Sequence, residues 1–127
     1  MYRAIIVAMM LWACVPAYAH EMTPTYPRFE ISYVEGVVRT KLRLFNKRSD
    51  VQFYEISVYD KDFNPVAFAT PRRVLQLPHL SSTQFEVFVR KEDLDRIVYI
   101  CTESKLQKAE TVRTVITSRI CSKIQNG

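Results

Sequence analysis

The sequence is poor in the residues from which catalytic and metal sites are usually built. Its only glycines are Gly36 and Gly127, so no glycine-rich phosphate-binding loop is possible. Its two histidines, His20 and His79, have no acidic or thiol partner at a metal-ligand or catalytic spacing. We expect both to be ordinary surface residues, with His20 at a frayed terminus. The sequence therefore predicts neither an enzyme nor a bound metal or cofactor.

The sequence also lacks a long hydrophobic run. Its longest extends from Ala4 to Val15 and is followed by proline and the triplet Ala-Tyr-Ala. A membrane-spanning helix needs about 18 or more apolar residues, whereas a short run before Ala-x-Ala is typical of a secretory signal peptide. We predict a signal peptide at residues 1–19 and one domain at residues 20–127, periplasmic or secreted. The alternatives are an uncleaved membrane anchor and lipidation at Cys14.

Cysteine is scarce, and removal of the signal peptide would leave two cysteines of the three. Two cysteines in an exported chain favour one disulfide, with a pair of free buried thiols as the alternative. If the last two predicted strands pair in one antiparallel register, an acidic residue also faces a basic one and an apolar residue faces another apolar residue. Its pairs are Cys101 with Cys121, Glu103 with Arg119, and Leu106 with Ile116. A two-residue period can give such matches by chance, but the register predicts a disulfide-closed hairpin.

No segment has a sustained helical period, whereas two-residue alternation of β-branched and aromatic residues recurs along the chain. In Val38–Leu44, apolar residues or threonine alternate with cations. Further strands are predicted at 28–34, 51–59, 66–68, 74–77, 84–90, 96–103 and 112–121. Polar and proline-containing clusters supply the turns, and Lys91–Arg96 could form a single helical turn. The pattern predicts an all-β fold, an immunoglobulin-like sandwich of about seven or eight strands.

The formal net charge is +5, and three cations lie on one face of a predicted strand: Arg39, Lys41 and Arg43. This basic ridge could contact an anionic surface. It could equally be a solvated strand face that discourages edge pairing. Nucleic acid is not expected as a partner, because exported proteins seldom meet it and no aromatic residue lies among the three cations.

The last predicted strand is the second candidate for binding. Val112, Ile116 and Ile120 alternate along it, with Thr114 between them. A terminal edge strand with apolar residues is a template for adding a partner's strand. The alternative is that this face fills the core of the sandwich.

Short segments spread over most of the chain after residue 19 form a further pattern: 23–28, 38–46, 74–78, 85–90, 99–101 and 117–120. Together they resemble the amino-terminal domain of periplasmic pilus chaperones, the PapD-like proteins of the chaperone/usher pathway. The resemblance implies a signal peptide, an immunoglobulin-like fold and, as in some members, a disulfide between the last two strands.

The resemblance also implies how a partner would be bound. In that family, an arginine of the first strand and a lysine of the last strand hold the terminal carboxylate of a pilus subunit. Arg28 is in the position of that arginine. The lysine position falls near Cys121, so Arg119 or Lys123 would replace it. The family's carboxylate cleft lies between two domains, and the segments above resemble the first.

The sequence thus predicts a periplasmic chaperone-like protein that binds a pilus or surface-structure subunit, or an extended peptide, by strand addition. The predicted partner-binding residues are Arg28, Val112, Thr114, Ile116, Arg119, Ile120 and Lys123. The alternative is an immunoglobulin-like structural or adhesive component of an exported surface assembly. Function has to be argued from the site, because one fold serves many functions.

Overall fold

The computed structural model describes residues 20–105 and 117–125. These residues form eight strands: β1 (Glu21–Thr23), β2 (Glu30–Ile31), β3 (Val37–Phe45), β4 (Phe53–Tyr59), β5 (Val74–Gln76), β6 (Ser82–Arg90), β7 (Tyr99–Lys105) and β8 (Arg119–Lys123). One 3-10 helix, Lys91–Arg96, joins β6 to β7. The helical alternative for that segment is therefore confirmed. Across the described ranges, no helix has the length and apolarity needed to cross a membrane.

The strands form two antiparallel four-stranded sheets, which confirms the predicted all-β sandwich. In the first sheet, β3 pairs with β6 along one edge and with β1 and β2 along the other. The second sheet has the order β5-β4-β7-β8. The core lies between the sheets because alternate side chains of each strand point inward. Its most buried apolar members include Leu42, Leu44, Tyr54, Ile56, Val58, Val87, Ile97 and Ile100.

The β7–β8 hairpin has the predicted register. Cys101 lies opposite Cys121 and forms a disulfide with it, and Glu103 lies opposite Arg119. The predicted pair of Leu106 and Ile116 lies outside the described residues. A disulfide is typical of proteins outside the cytoplasm, where thiols are not kept reduced.

Five predicted strands are present with ends that differ by at most three residues, β1 was not predicted, and the three remaining predictions differ more. The strand predicted at 28–34 is reduced to β2, because the Ser32 hydroxyl bonds the main chain at Val34 and Val37 and forms a turn. The segment 66–68 is no strand and is flanked by isolated bridges at Pro65 and Ala69. In the predicted strand 112–121, the described part begins at residue 117, and β8 begins at Arg119 and extends to Lys123. Val112, Thr114 and Ile116 lie outside the described residues.

Candidate strand-accepting edge at β8

Among the residues that the structure describes, β8 is the last strand of its sheet, so one side of its main chain has no partner strand there. The Ser104 N–H donates to the Ser118 carbonyl (2.9 Å), and the Ile124 N–H donates to the Val98 carbonyl (2.8 Å). Because antiparallel pairing alternates, the even-numbered residues of β8 direct their main-chain groups toward β7. Arg119, Cys121 and Lys123 therefore direct theirs away from the sheet.

The carboxy-terminal half of this outward edge is already covered by the chain segment 25–27. The Lys123 N–H donates to the Thr25 carbonyl (3.1 Å), and the Gln125 N–H donates to the Pro27 carbonyl (3.0 Å). In the amino-terminal half, the outward groups of Arg119 and Cys121 have no main-chain partner within residues 20–105 and 117–125. Within the described chain, no other strand continues the sheet along this half of β8.

The predicted side chains on β8 lie on different faces. Arg119 is on the outer face, where its Nη2 lies 3.3 Å from a carboxylate oxygen of Glu103 and its guanidinium lies 5.5 Å from the centre of the Tyr59 ring. Ile120 is half-buried and packs against the core. Lys123 is exposed at the covered end of the strand.

Arg28 is exposed beside that same covered end. Its Nε donates to the side-chain oxygen of Gln125 at 3.1 Å. The structure thus places Arg28 next to the chain that follows Lys123. Arg119 lies at the opposite end of β8. Of the two candidates for the second carboxylate-binding cation, Lys123 is therefore the one nearer to Arg28 along the strand.

His20 is not a surface residue at a frayed terminus, so that prediction is wrong. Its side chain is buried, 2% exposed, with its ring 4.6 Å from that of Tyr54. Nε2 donates to the Thr102 carbonyl (3.0 Å), which leaves Nδ1 to accept from the Ser118 hydroxyl (3.1 Å). Burial lowers the pKa of His20, and the nearby Arg48 lowers it further, against the opposing effect of the Thr102 bond. The predicted exposure of His79 is confirmed.

The His20 contacts belong to a larger buried network that the sequence did not indicate. Asn46 donates to the Val51 and Leu77 carbonyls (both 2.8 Å) and accepts from the Tyr54 hydroxyl. Burial raises the pKa of Tyr54 to about 12, so this phenol stays protonated. The network therefore fixes the connection between β3 and β4 beside the start of β1.

Arg48 joins this network to β8. It is 7% exposed, forms two bonds with the Asp50 carboxylate (2.9 and 2.6 Å), and donates to the Ser118 hydroxyl (3.4 Å). The hydrogen bond from Arg48 is the main cause that holds the pKa of Asp50 below its usual value. The residue directly before β8 is thus held by two buried side chains, His20 and Arg48.

The predicted basic ridge is present on the outer face of β3, but its cations are partly compensated. Arg39 and Lys41 share one carboxylate, that of Glu86, at 3.8 and 3.6 Å. Arg43 donates to the Ser82 hydroxyl at 2.8 Å. The ridge therefore keeps an excess of positive charge next to β6.

Comparison of the chain with models of known protein families gives no match, and comparison with curated proteins gives none.

Proposed function

We propose that this chain is an exported chaperone-like protein that binds an extended segment of a pilus or surface-structure subunit by strand addition along β8. The observation that carries the proposal is the amino-terminal half of β8. There, the main-chain groups of Arg119 and Cys121 point away from the sheet without a main-chain partner in the described part of the chain. In strand addition, such groups supply the affinity and alternate side chains supply the specificity.

The way in which β8 is held supports this proposal. The disulfide fixes Cys121 to β7, with 4.1 Å between the two Cα atoms, and segment 25–27 holds the strand beyond it. Ser118 is fixed by His20 and Arg48. A strand that is already ordered costs little conformational entropy when a partner pairs with it. The resemblance to PapD-like chaperones supports the same use of the last strand.

The resemblance also supports a role for Arg28 in holding the partner's terminal carboxylate. Arg28 is exposed, and its one hydrogen bond within the described chain goes to the neutral side chain of Gln125. A carboxylate could therefore replace Gln125 as its partner without breaking an ion pair. Lys123 carries the nearest candidate second charge on β8.

The alternative function is that of a structural or adhesive component of an exported assembly. The outer face of the second sheet favours it, because Phe63 is 46% exposed and stacks on Tyr99 with 4.6 Å between ring centres. An exposed aromatic surface of this kind suits a permanent contact with a neighbouring subunit.

A proline scan of β8 tests the proposal. Arg119→Pro removes an outward N–H and leaves the bonds to β7 intact, so the domain should stay folded and lose its partner. Arg119→Ala removes the same side chain but keeps the N–H, and it should still bind. Ile120→Pro removes an N–H directed at β7 and should lower the melting temperature. The readout is a periplasmic pull-down, identification of the captured subunit, and titration of that subunit against each variant.

Undiminished binding of the subunit to folded Arg119→Pro would reject strand addition at β8 and favour the structural alternative. The carboxylate contact is tested separately with the same subunit bearing a free or an amidated C-terminus. Arg28→Ala should weaken binding of the free form by about 1.5 to 3 kcal/mol, the range for hydrogen bonds to charged groups. It should leave the amidated form unchanged. Equal effects on the free and the amidated subunit would show that Arg28 does not bind the terminal carboxylate.

A further inference from the structure

On the side of the sandwich opposite β8, two further strands, β5 and β6, form the edges of their sheets. Each of these strands ends its sheet, and a groove with a volume of about 590 Å³ lies along them. Leu75 of β5 and Phe85 of β6 line the groove and are buried. Lys41 and Arg72 line it as exposed residues. The groove therefore combines an apolar floor with a cationic rim.

Hydrogen bonds fix which groups of β6 face this groove. The Asn46 N–H donates to the Ser81 carbonyl at 3.0 Å. The alternation of antiparallel pairing therefore directs the main-chain N–H and carbonyl groups of Thr83 and Phe85 toward β3. Ser82, Gln84, Glu86 and Phe88 then direct their main-chain groups to the open side. Phe88 agrees with this phase, because it exchanges two 2.8 Å bonds with Ala69 outside the sheet.

The chain itself covers one end of the β6 edge and then leaves it. After the Ala69 pairing, the Thr70 hydroxyl donates to the Glu86 carbonyl at 2.7 Å. The next residue, Pro71, has no N–H with which to continue a ladder, and the chain crosses to β5. Among residues 20–105 and 117–125, the N–H groups of Gln84 and Glu86 have no main-chain partner.

The facing edge of β5 is open in the same way. The Ile56 N–H donates to the Arg73 carbonyl (2.8 Å), and the Leu77 N–H donates to the Gln52 carbonyl (2.7 Å). The alternation then turns the main-chain groups of Val74 and Gln76 away from β4. Within the described part of the chain, outward N–H groups without a main-chain partner thus flank the groove on both sides, and an extended chain is the ligand that matches them.

Charge decides which kind of extended chain fits. Glu86 is the acidic residue in the lining, and it is shared by Arg39 and Lys41. Arg72 forms no hydrogen bond or ion pair with any residue that the structure describes. A carboxylate on the incoming chain would therefore gain a cationic partner at the rim without displacing another.

We infer that the groove between β5 and β6 binds an extended acidic segment of another protein, which pairs with the Ser82–Glu86 edge and places a carboxylate beside Arg72. Side chains of the segment alternate between the apolar floor and the cationic rim. This site is separate from the proposed β8 edge, because it lies on the other side of the sandwich and uses different strands.

The test uses two acetylated, amidated octapeptides, one alternating valine with aspartate and the other alternating valine with lysine. The aspartate peptide should bind in calorimetric titrations and should slow amide hydrogen exchange at Gln84 and Glu86. Gln84→Pro removes the outward N–H and should weaken binding about tenfold, whereas the control Gln84→Ala should stay within about twofold. Arg72→Glu should weaken binding of the aspartate peptide and strengthen binding of the lysine peptide.

The inference is overturned if the aspartate peptide does not bind, or if it binds folded Gln84→Pro as tightly as the unaltered protein. Slowed exchange at Arg119 and Cys121 instead of Gln84 and Glu86 would also overturn it and assign the peptide to β8. Arg119→Pro should leave binding of this peptide unchanged, so the two proposals fail independently. If Gln84→Pro does not fold, the inference is tested by the amide exchange pattern of the unaltered protein and by the titrations of Arg72→Glu with the two peptides.

Discussion

His20 is a buried imidazole whose surroundings favour its neutral form. Desolvation is the main cause of its lowered pKa, and the Arg48 guanidinium adds to it. Asp50 neutralises Arg48 in turn, and Tyr54, whose ring lies beside the imidazole, stays protonated. Protonation of His20 would place a second positive charge in this corner of the sandwich and would cost the acceptor bond at Nδ1.

The lowered pKa gives the stability of the domain a defined pH dependence. Below the ordinary histidine pKa of 6.5, the unfolded chain takes up a proton that the folded chain resists. The free energy of unfolding should therefore decrease as the pH falls from about 7.5 to about 5.5. Urea unfolding across this range measures the slope, and His20→Gln should flatten it. The acidic residues with lowered pKa values, among them Asp50, change the free energy of unfolding only below about pH 5. An unchanged slope in His20→Gln would contradict the assignment.

Adjacent residues of β3 should differ sharply in their contribution to stability. Leu42 is 1% exposed between the sheets, whereas the side chain of Lys41 is 59% exposed on the outer face. Leu42→Ala should cost about 2 to 5 kcal/mol, and Lys41→Ala should stay within about 0.5 kcal/mol of the unaltered protein. Denaturant unfolding of the two variants checks the difference. Equal losses would mean that the inward and outward faces of β3 are assigned wrongly.

Alternation predicted the position of Leu42, but no local pattern could predict the burial of His20, Asn46 or Arg48. Their partners are distant in the chain: His20 bonds Ser118 across 98 residues, and Arg48 bonds the same hydroxyl across 70. A polar side chain can be buried where the fold brings it a partner. Sequence position alone suggested a frayed end at His20, and the tertiary contacts override it.

At the scale of elements, the four long strands and the short β5 were predicted close to their observed positions, whereas β1 was not predicted and β2 was predicted too long. β3, β4, β6 and β7 are seven to nine residues long, which lets the two-residue period show. β1 and β2 have three and two residues, too few for a period, and pairing with β3 is what makes them strands. The open β5 and β6 edges depend on where the chain crosses between sheets, and Pro71 gives no sequence signal of that crossing.

The β7–β8 hairpin should lose much of its stability without its disulfide. Replacement of both Cys101 and Cys121 by serine reopens a loop with a sequence separation of 20. In the chain-entropy model this costs about 3 kcal/mol. Thermal unfolding with and without reductant measures the effect: the reductant should lower the melting temperature of the unaltered protein and leave that of the double variant unchanged. A reductant-sensitive double variant would show that the loss comes from elsewhere.

At the scale of the whole molecule, export predicts a defined chemical form. The protein purified from the periplasm or medium should begin at His20, if cleavage follows Ala19. Its intact mass should also be that of the oxidised chain, with the disulfide formed. Mass spectrometry before and after reduction and alkylation checks both points. A lipidated form beginning at Cys14, or free alkylation of both remaining thiols without reductant, would contradict the prediction.

The two proposed edges lie on opposite sides of the sandwich, so one copy of the domain could hold two extended segments at once. The β8 edge is short and is held by the Arg48 bond to Ser118 before it and by the disulfide at Cys121, whereas the β5–β6 edge is wide and cationic. Sequence alone predicted the class of fold and the first of these edges. The second follows from the pairing of strands that are far apart in the chain.

The position of the disulfide also determines how a pulling force would pass through the domain. A partner strand attached to β8 would pull on the edge of a sheet, and an edge held by hydrogen bonds alone can be peeled away one bond at a time. Here the Cys101–Cys121 bond carries the load covalently into β7, an interior strand that pairs with β4 along its seven residues. Cys121 therefore cannot separate from β7 under tension unless the disulfide is reduced or β7 itself leaves the sheet, so a force on β8 would be shared with the interior of the sheet.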